Sequence, residues 1–206
     1  MTDAYCDFHT HTLSGKCPEL LSTPVATTAR YQSLEYHPWY LPETFAPLPE
    51  DMTTALPGFT ALGEIGLDRL RGPELPVQMR YLEALLALAQ DCRKPVVLHV
   101  VKALPELFSV LKRFRLRWMI HGFRGTPETL DAIWQRGGVV SFHPEAVRQC
   151  RLMDKLKTPG GSFGFESDAA VDADLPSVIK SAVARSGNRD LPQLVNAAFG
   201  EFTSGQ

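Results

Sequence analysis

Neither sign of charge prevails in this chain: 21 Lys and Arg stand against 23 Asp and Glu, a formal net charge of −2. That balance excludes a global cationic surface able to hold nucleic acid non-specifically. A small-molecule substrate is the simpler reading of charge alone, and a nucleic-acid substrate needs a local basic patch. Cysteine is sparse. Cys6, Cys17, Cys92 and Cys150 are scattered, with no C-x-x-C pair, and read as ordinary thiols rather than a disulfide framework or zinc knuckle. A reducing, cytoplasmic location is the expectation. No apolar run approaches the roughly 20 residues that span a bilayer. Residues 1–8 carry acids and no apolar signal-peptide core, so no membrane partner is expected.

What is present suits one globular domain over residues 1–206, with 44% hydrophobic residues to build a core. Residues 12–60 are irregular and hold seven prolines from Pro18 to Pro57, which exclude long helices and central strands there. Residues 4–8, 25–30 and 31–36 read as short strands. Beyond Gly58 the pattern becomes regular. Strands are expected at 59–65, 95–100, 117–121, 138–142 and 162–166, and helices at 76–93, 104–114, 126–136, 144–156, 175–185 and 191–202. Strand alternating with helix argues for a parallel sheet with crossovers. Eight strands in a chain this short predict a compact, partly reduced TIM-type (β/α)8 barrel, a fold that typically needs about 250 residues but can be built with about 200.

The polar residues fall in a pattern. His9 and His11 close the first strand, two apart and so directed to one side. Glu64, His99 and His121 sit near strand ends, Asp168 just past the last one, and His37 after an early one. In a parallel barrel the C-terminal strand ends carry the chemistry. Each residue alone has a bland reading: a solvated H-x-H, a core histidine at His99, an N-cap at Asp168. Asp7 reads as a partner of a ligand histidine rather than a ligand. The coincidence favours a metal site, since the long expected helix at 76–93 holds no histidine.

Phe8-His9-Thr10-His11, Gly63-Glu64-Ile65-Gly66-Leu67-Asp68, Val97-Leu98-His99, His121-Gly122-Phe123-Arg124-Gly125 and Glu166-Ser167-Asp168 follow one another along the chain. In that order they resemble the motifs of TatD-family metal-dependent hydrolases. Gln78, Lys94-Pro95-Val96-Val97, Tyr36-His37-Pro38-Trp39-Tyr40, and Asn196 with Phe199 extend the resemblance across nearly the whole chain. The details resemble a compact bacterial subgroup. The resemblance implies a TIM-like barrel and two divalent metal ions (zinc, manganese or magnesium). It implies that His9 and His11 hold one ion, His99 and His121 the other, that Glu64 bridges both, and that Asp168 binds the first and serves as general base. Asp168 and Glu64 are then the catalytic carboxylates. The short proline-rich segment, Ser167 in place of threonine, Arg124 in place of a small polar residue, and the unexpected His143 depart from the pattern.

The activity implied is hydrolysis of DNA or another phosphodiester, often at DNA ends. Lys102 and Arg124, each three residues past a ligand histidine, are candidates for gripping phosphate; His37 joins them as a substrate-binding candidate. The basic run Lys112, Arg113, Arg115 and Arg117 belongs to a helix end leading into a strand and reads as solvated. Two rivals stand beside the nuclease: a hydrolase of a small-molecule amide or ester, and a metal-binding interaction protein without turnover.

Overall fold

The structure, a computed structural model, describes residues 5–169 and 174–204. Among them are eight strands whose sheet order equals their chain order: β1 (Asp7–Thr10), β2 (Glu19–Thr23), β3 (Tyr31–Leu34), β4 (Ala61–Asp68), β5 (Val96–Val101), β6 (Trp118–Phe123), β7 (Val139–Phe142) and β8 (Phe163–Phe165). Seven α-helices accompany them: α1 (Glu50–Ala55), α2 (Leu75–Asp91), α3 (Leu104–Leu111), α4 (Pro127–Trp134), α5 (Cys150–Lys155), α6 (Leu175–Ser186) and α7 (Leu191–Thr203). This is the expected α/β class of (β/α)8 type. From β4 onward each strand is followed by a helix; β1, β2 and β3 are joined by loops, and the β3–β4 connection carries only the six-residue α1 between short 3-10 turns, which is the predicted reduction. The chain divides into two compact units, a terminal one holding Met119–Phe202 with the N-terminal segment to Leu21, and a central one built on Ser22–Trp118.

In the central unit β3, β4 and β5 run parallel, with Leu34 opposite Leu62 and Gly66 opposite His99. β4 is buried along its whole length. Two glycines permit its close approach to β5. Gly63 and Gly66 have φ of 143° and 151°, and a Cβ on either would overlap a carbonyl oxygen, that of Val97 or of His99. Only glycine combines this backbone with no side chain, so the motif Gly63-Glu64-Ile65-Gly66 is a packing requirement as well as a chemical one. α2 lays Leu82, Leu85, Leu86 and Ala89 into the core, the helical spacing expected. Its buried Gln78 accepts the Asp68 N–H at 2.7 Å and donates to the carbonyls of Asp68, Arg71 and Pro73, which fixes the turn that leaves β4.

In the terminal unit β6, β7 and β8 are parallel, with Ile120 opposite Val140 and Phe142 opposite Phe165. β1 joins the same array through a parallel bridge between Thr10 and Asp168. Phe8, Phe142, Phe163 and Phe165 are fully buried. Thr126 caps α4 by accepting the Thr129 N–H, with Pro127 at the first position, as expected from sequence.

Two expectations need correction. The second strand is Glu19–Thr23 rather than residues 25–30. Pro18 and Pro24 bracket it, and its polar residues are buried because they have partners: the Glu19 carboxylate accepts from the nearby N–H groups of Ser14 and Gly15, and the Ser22 hydroxyl donates to the Gly63 carbonyl on β4 and accepts the Glu64 N–H. Residues 144–156 are not one helix but a 3-10 turn, Pro144–Arg148, followed by α5. Ala4, placed in the expected first strand, lies outside the described residues.

Candidate metal centre

In the terminal unit His9 lies on β1 and is wholly buried, while His11 follows the strand and is exposed. Their rings meet edge to face with centroids 5.0 Å apart. His121, on β6, brings its ring to 4.4 Å from that of His9. Asp168 closes the group: its Oδ1 is 3.9 Å from His9 Nε2 and 3.8 Å from His11 Nε2. The main chain sets its position. The Asp168 N–H donates to the His9 carbonyl at 3.0 Å, the His11 N–H donates to the Asp168 carbonyl at 3.3 Å, and Asp168 sits at φ 54°.

Behind this group lie two further acids. Asp7 accepts the backbone N–H of His9 and both the N–H and hydroxyl of Ser167. It therefore supports His9 through the main chain and not through the ring. Burial pushes the Asp7 carboxyl up to about 6, against the opposing Ser167 hydrogen bonds and with the help of nearby Glu166. Glu166 is fully buried, accepts the Gly122 N–H at 2.7 Å and places Oε1 3.6 Å from His121 Nδ1. A cleft of about 500 Å³ opens beside Asp168, lined among others by Thr10, Ser14, Lys16 and Ser167. Cys17 also lines it, but burial raises its thiol to about 12, far too high for a nucleophile.

In the central unit Glu64 on β4 and His99 on β5 meet, with Glu64 Oε2 3.3 Å from His99 Nδ1. His37 reaches the same oxygen with Nε2 at 3.4 Å. The other nitrogen of His99 faces Asp68 Oδ2 at 3.2 Å, and the Trp39 indole N–H donates to that oxygen at 2.5 Å. Burial raises the Asp68 carboxyl, yet the hydrogen bonds from Trp39, the Leu70 N–H and His99 outweigh it and hold Asp68 below the usual range.

The chemistry of these donors fits a divalent cation. Ligand atoms of His9, His121 and Asp168 lie within 4.8 Å of one another, and so do those of His37, Glu64 and His99. Imidazole and carboxylate donors at such spacing suit ions with bonds of roughly 2.0–2.2 Å. Of the phosphate-grip candidates, Lys102 follows β5 and is exposed. Arg124 follows β6 and pairs with Glu145 at 3.3 Å, both well exposed. His143 is an N-cap: its Nδ1 accepts the Glu145 N–H at 3.2 Å, just as His37 Nδ1 accepts the Trp39 N–H. The dipeptides His37-Pro38 and His143-Pro144 are thus the same local device. Sequence reading gave no role to Asp68, Glu166 or the Trp39 indole; the place of both acids inside the quoted motifs was the available signal.

A sequence profile described as TatD related DNase matches residues 19–178. This chain belongs to the TatD-related DNase family. It is 38% identical over 85 residues to the 3'-5' ssDNA/RNA exonuclease TatD of Edwardsiella piscicida, a match covering 39% of this chain and 33% of that protein. The chain thus matches about a third of that relative's length. A solved TatD homologue of Escherichia coli superposes over 98% of this chain and 99% of its own, with a TM-score of 0.77 at 18% identity. A TatD-family hydrolase of Entamoeba histolytica does so over the same shares, with a TM-score of 0.71 at 14% identity. These likenesses establish the TIM-barrel fold predicted from sequence. Among the described residues no helix is long and apolar enough to cross a membrane.

Proposed function

We propose that this chain is a single-domain, metal-dependent nuclease that hydrolyses phosphodiester bonds at the ends of DNA. The observation carrying this reading is that the six candidate ligands His9, His11, Glu64, His99, His121 and Asp168 are all present and that, within each unit, ligand atoms converge into a cluster fit for a cation. In this reading His9, His11 and Asp168, with His121 beside them, would hold a divalent ion in the terminal unit, and Glu64 and His99 would hold one in the central unit. Bound metal supplies a lowered water pKa and stabilises charge on the phosphoryl oxygens. Asp168 takes the proton from the attacking water. Main-chain hydrogen bonds, joined by the Thr10 hydroxyl at 3.4 Å, hold Asp168 at the cleft wall. Lys102 and Arg124 grip phosphate oxygens, and His37 contributes from beside Glu64. Free thiols suit a reducing cytoplasm.

A second reading, hydrolysis of a neutral amide or ester, draws on one feature: Glu145 occupies the Arg124 guanidinium, which a phosphate would have to displace. The test is nucleotide release from a single-stranded oligonucleotide, with added manganese and with chelator, beside a neutral ester. Metal-dependent release supports the nuclease; turnover of the ester alone overturns it.

A further inference from the structure

Resting on the metal-site reading above, we propose that Trp39 is a positioning residue whose two N–H groups, together with a cation beside Glu64, decide which ring nitrogens of His37 and His99 face Glu64. The argument is one of protons. A neutral imidazole has one N–H and one lone pair, and a carboxylate only accepts. Glu64 and Asp68 flank the ring, so a cation decides between its nitrogens: shared with Glu64, it takes the Nδ1 lone pair, and the proton of neutral His99 then belongs on Nε2, 3.2 Å from Asp68 Oδ2. Nδ1 itself lies 3.3 Å from Glu64 Oε2. Asp68 is itself pinned. The Trp39 indole N–H donates to the same Oδ2 at 2.5 Å, the Leu70 N–H donates to Oδ1 at 2.7 Å, and the Arg71 guanidinium sits 4.4 Å from the centre of the Trp39 ring.

His37 is set the other way by the same residue. The backbone N–H of Trp39 donates to His37 Nδ1 at 3.2 Å. An N–H cannot donate to a protonated nitrogen, so Nδ1 carries the lone pair and Nε2 the proton. That proton points at Glu64 Oε2, 3.4 Å away. The two histidines beside Glu64 therefore have opposite roles: His99 offers an electron pair as a ligand, and His37 offers a hydrogen bond. His37 is not a third ligand, although its Nε2 lies within the donor cluster. It restrains the Glu64 carboxylate, and carboxylate and histidine orientation of this kind is worth about 10–100-fold in metal affinity.

The test uses the full chain and ring-nitrogen NMR, with and without zinc. In the metal-free protein His37 is expected as the neutral form protonated on Nε2; protonation on Nδ1 overturns the proposal without reference to metal. With zinc added, His99 should show a metal-shifted Nδ1 and a protonated Nε2, and His37 should show no zinc shift. A zinc shift on His99 Nε2 or on His37 overturns the proposal. Absence of a zinc shift on every histidine, with His37 in the expected form, contradicts the metal-site reading and with it the ligand role given to His99. Two variants separate the arms. Trp39→Phe keeps the backbone donor and removes the indole N–H, so zinc affinity should fall about 10–100-fold while the His37 form stays unchanged. Asp68→Asn, which is isosteric, leaves one oxygen for the Trp39 and Leu70 N–H donors; it weakens the acceptor at Nε2 and should move the His99 proton toward Nδ1. Unchanged zinc affinity in Trp39→Phe together with an unchanged His99 in Asp68→Asn refutes the positioning role.

Discussion

The two units place their functional side chains by different means. In the terminal unit Asp168 is held by main-chain hydrogen bonds to β1. In the central unit Glu64 and His99 are oriented by side chains, through His37, Asp68 and the Trp39 indole. A residue fixed by backbone can lose its own side chain without losing its place. A residue fixed by neighbouring side chains is disturbed by changes several residues away. The comparison predicts where substitution removes chemistry alone and where it loosens structure.

The largest effect should come from Asp168→Asn. Losing a general base costs ~10²–10⁴-fold in rate, yet the backbone bonds remain, so the melting temperature should stay near that of the unchanged protein. Single-turnover rates and a melting curve check both halves; a large stability loss would break the contrast. Next is Gly66→Ala in the central unit. A φ of 151° costs a non-glycine residue about 1–3 kcal/mol, and the new Cβ meets the His99 carbonyl. The denaturant midpoint should fall and zinc binding at His99 should weaken with it. Ser167→Ala should cost less, about 1 kcal/mol, because the hydroxyl donor to Asp7 is lost while the Ser167 N–H still donates. Asp168 should keep its place, and turnover should change less than stability.

The smallest effects concern the exposed cations. Lys102→Ala and Arg124→Lys should lower kcat/KM on an oligonucleotide modestly, since exposed charges are worth roughly 0–1 kcal/mol, with Arg124→Lys losing the bidentate fork while keeping its charge. High salt should shrink the loss for Lys102→Ala, because screening removes from the unchanged protein the attraction that the variant already lacks. Neither change should matter on a neutral ester. Equal effects on both substrates would remove the phosphate-grip role.

Much of the centre was legible in the chain. His9, His99 and His121 lie on strands, and His11 and Asp168 just past strand ends, which alternation of strand and helix made visible. The glycines of the Gly63 to Gly66 motif were legible as a motif, but their physical cause, the approach of β5, needed the structure. Glu19–Thr23 escaped because its buried polar residues carry no hydropathic signal; Glu19 and Thr23 have local partners, and Ser22 bonds to Gly63 and Glu64 on β4. Trp39 and Asp68 escaped for a different reason. They lie 29 residues apart in sequence and meet only through tertiary packing. His143 looked out of place until its cap on the Pro144–Arg148 turn was seen.

The central claim is that this is a two-metal enzyme. Anomalous scattering from crystals soaked in manganese tests it most directly. Two peaks are predicted, one within coordination distance of His9 and Asp168, the other of Glu64 and His99. Saturating manganese with no peak beside these residues would contradict the account.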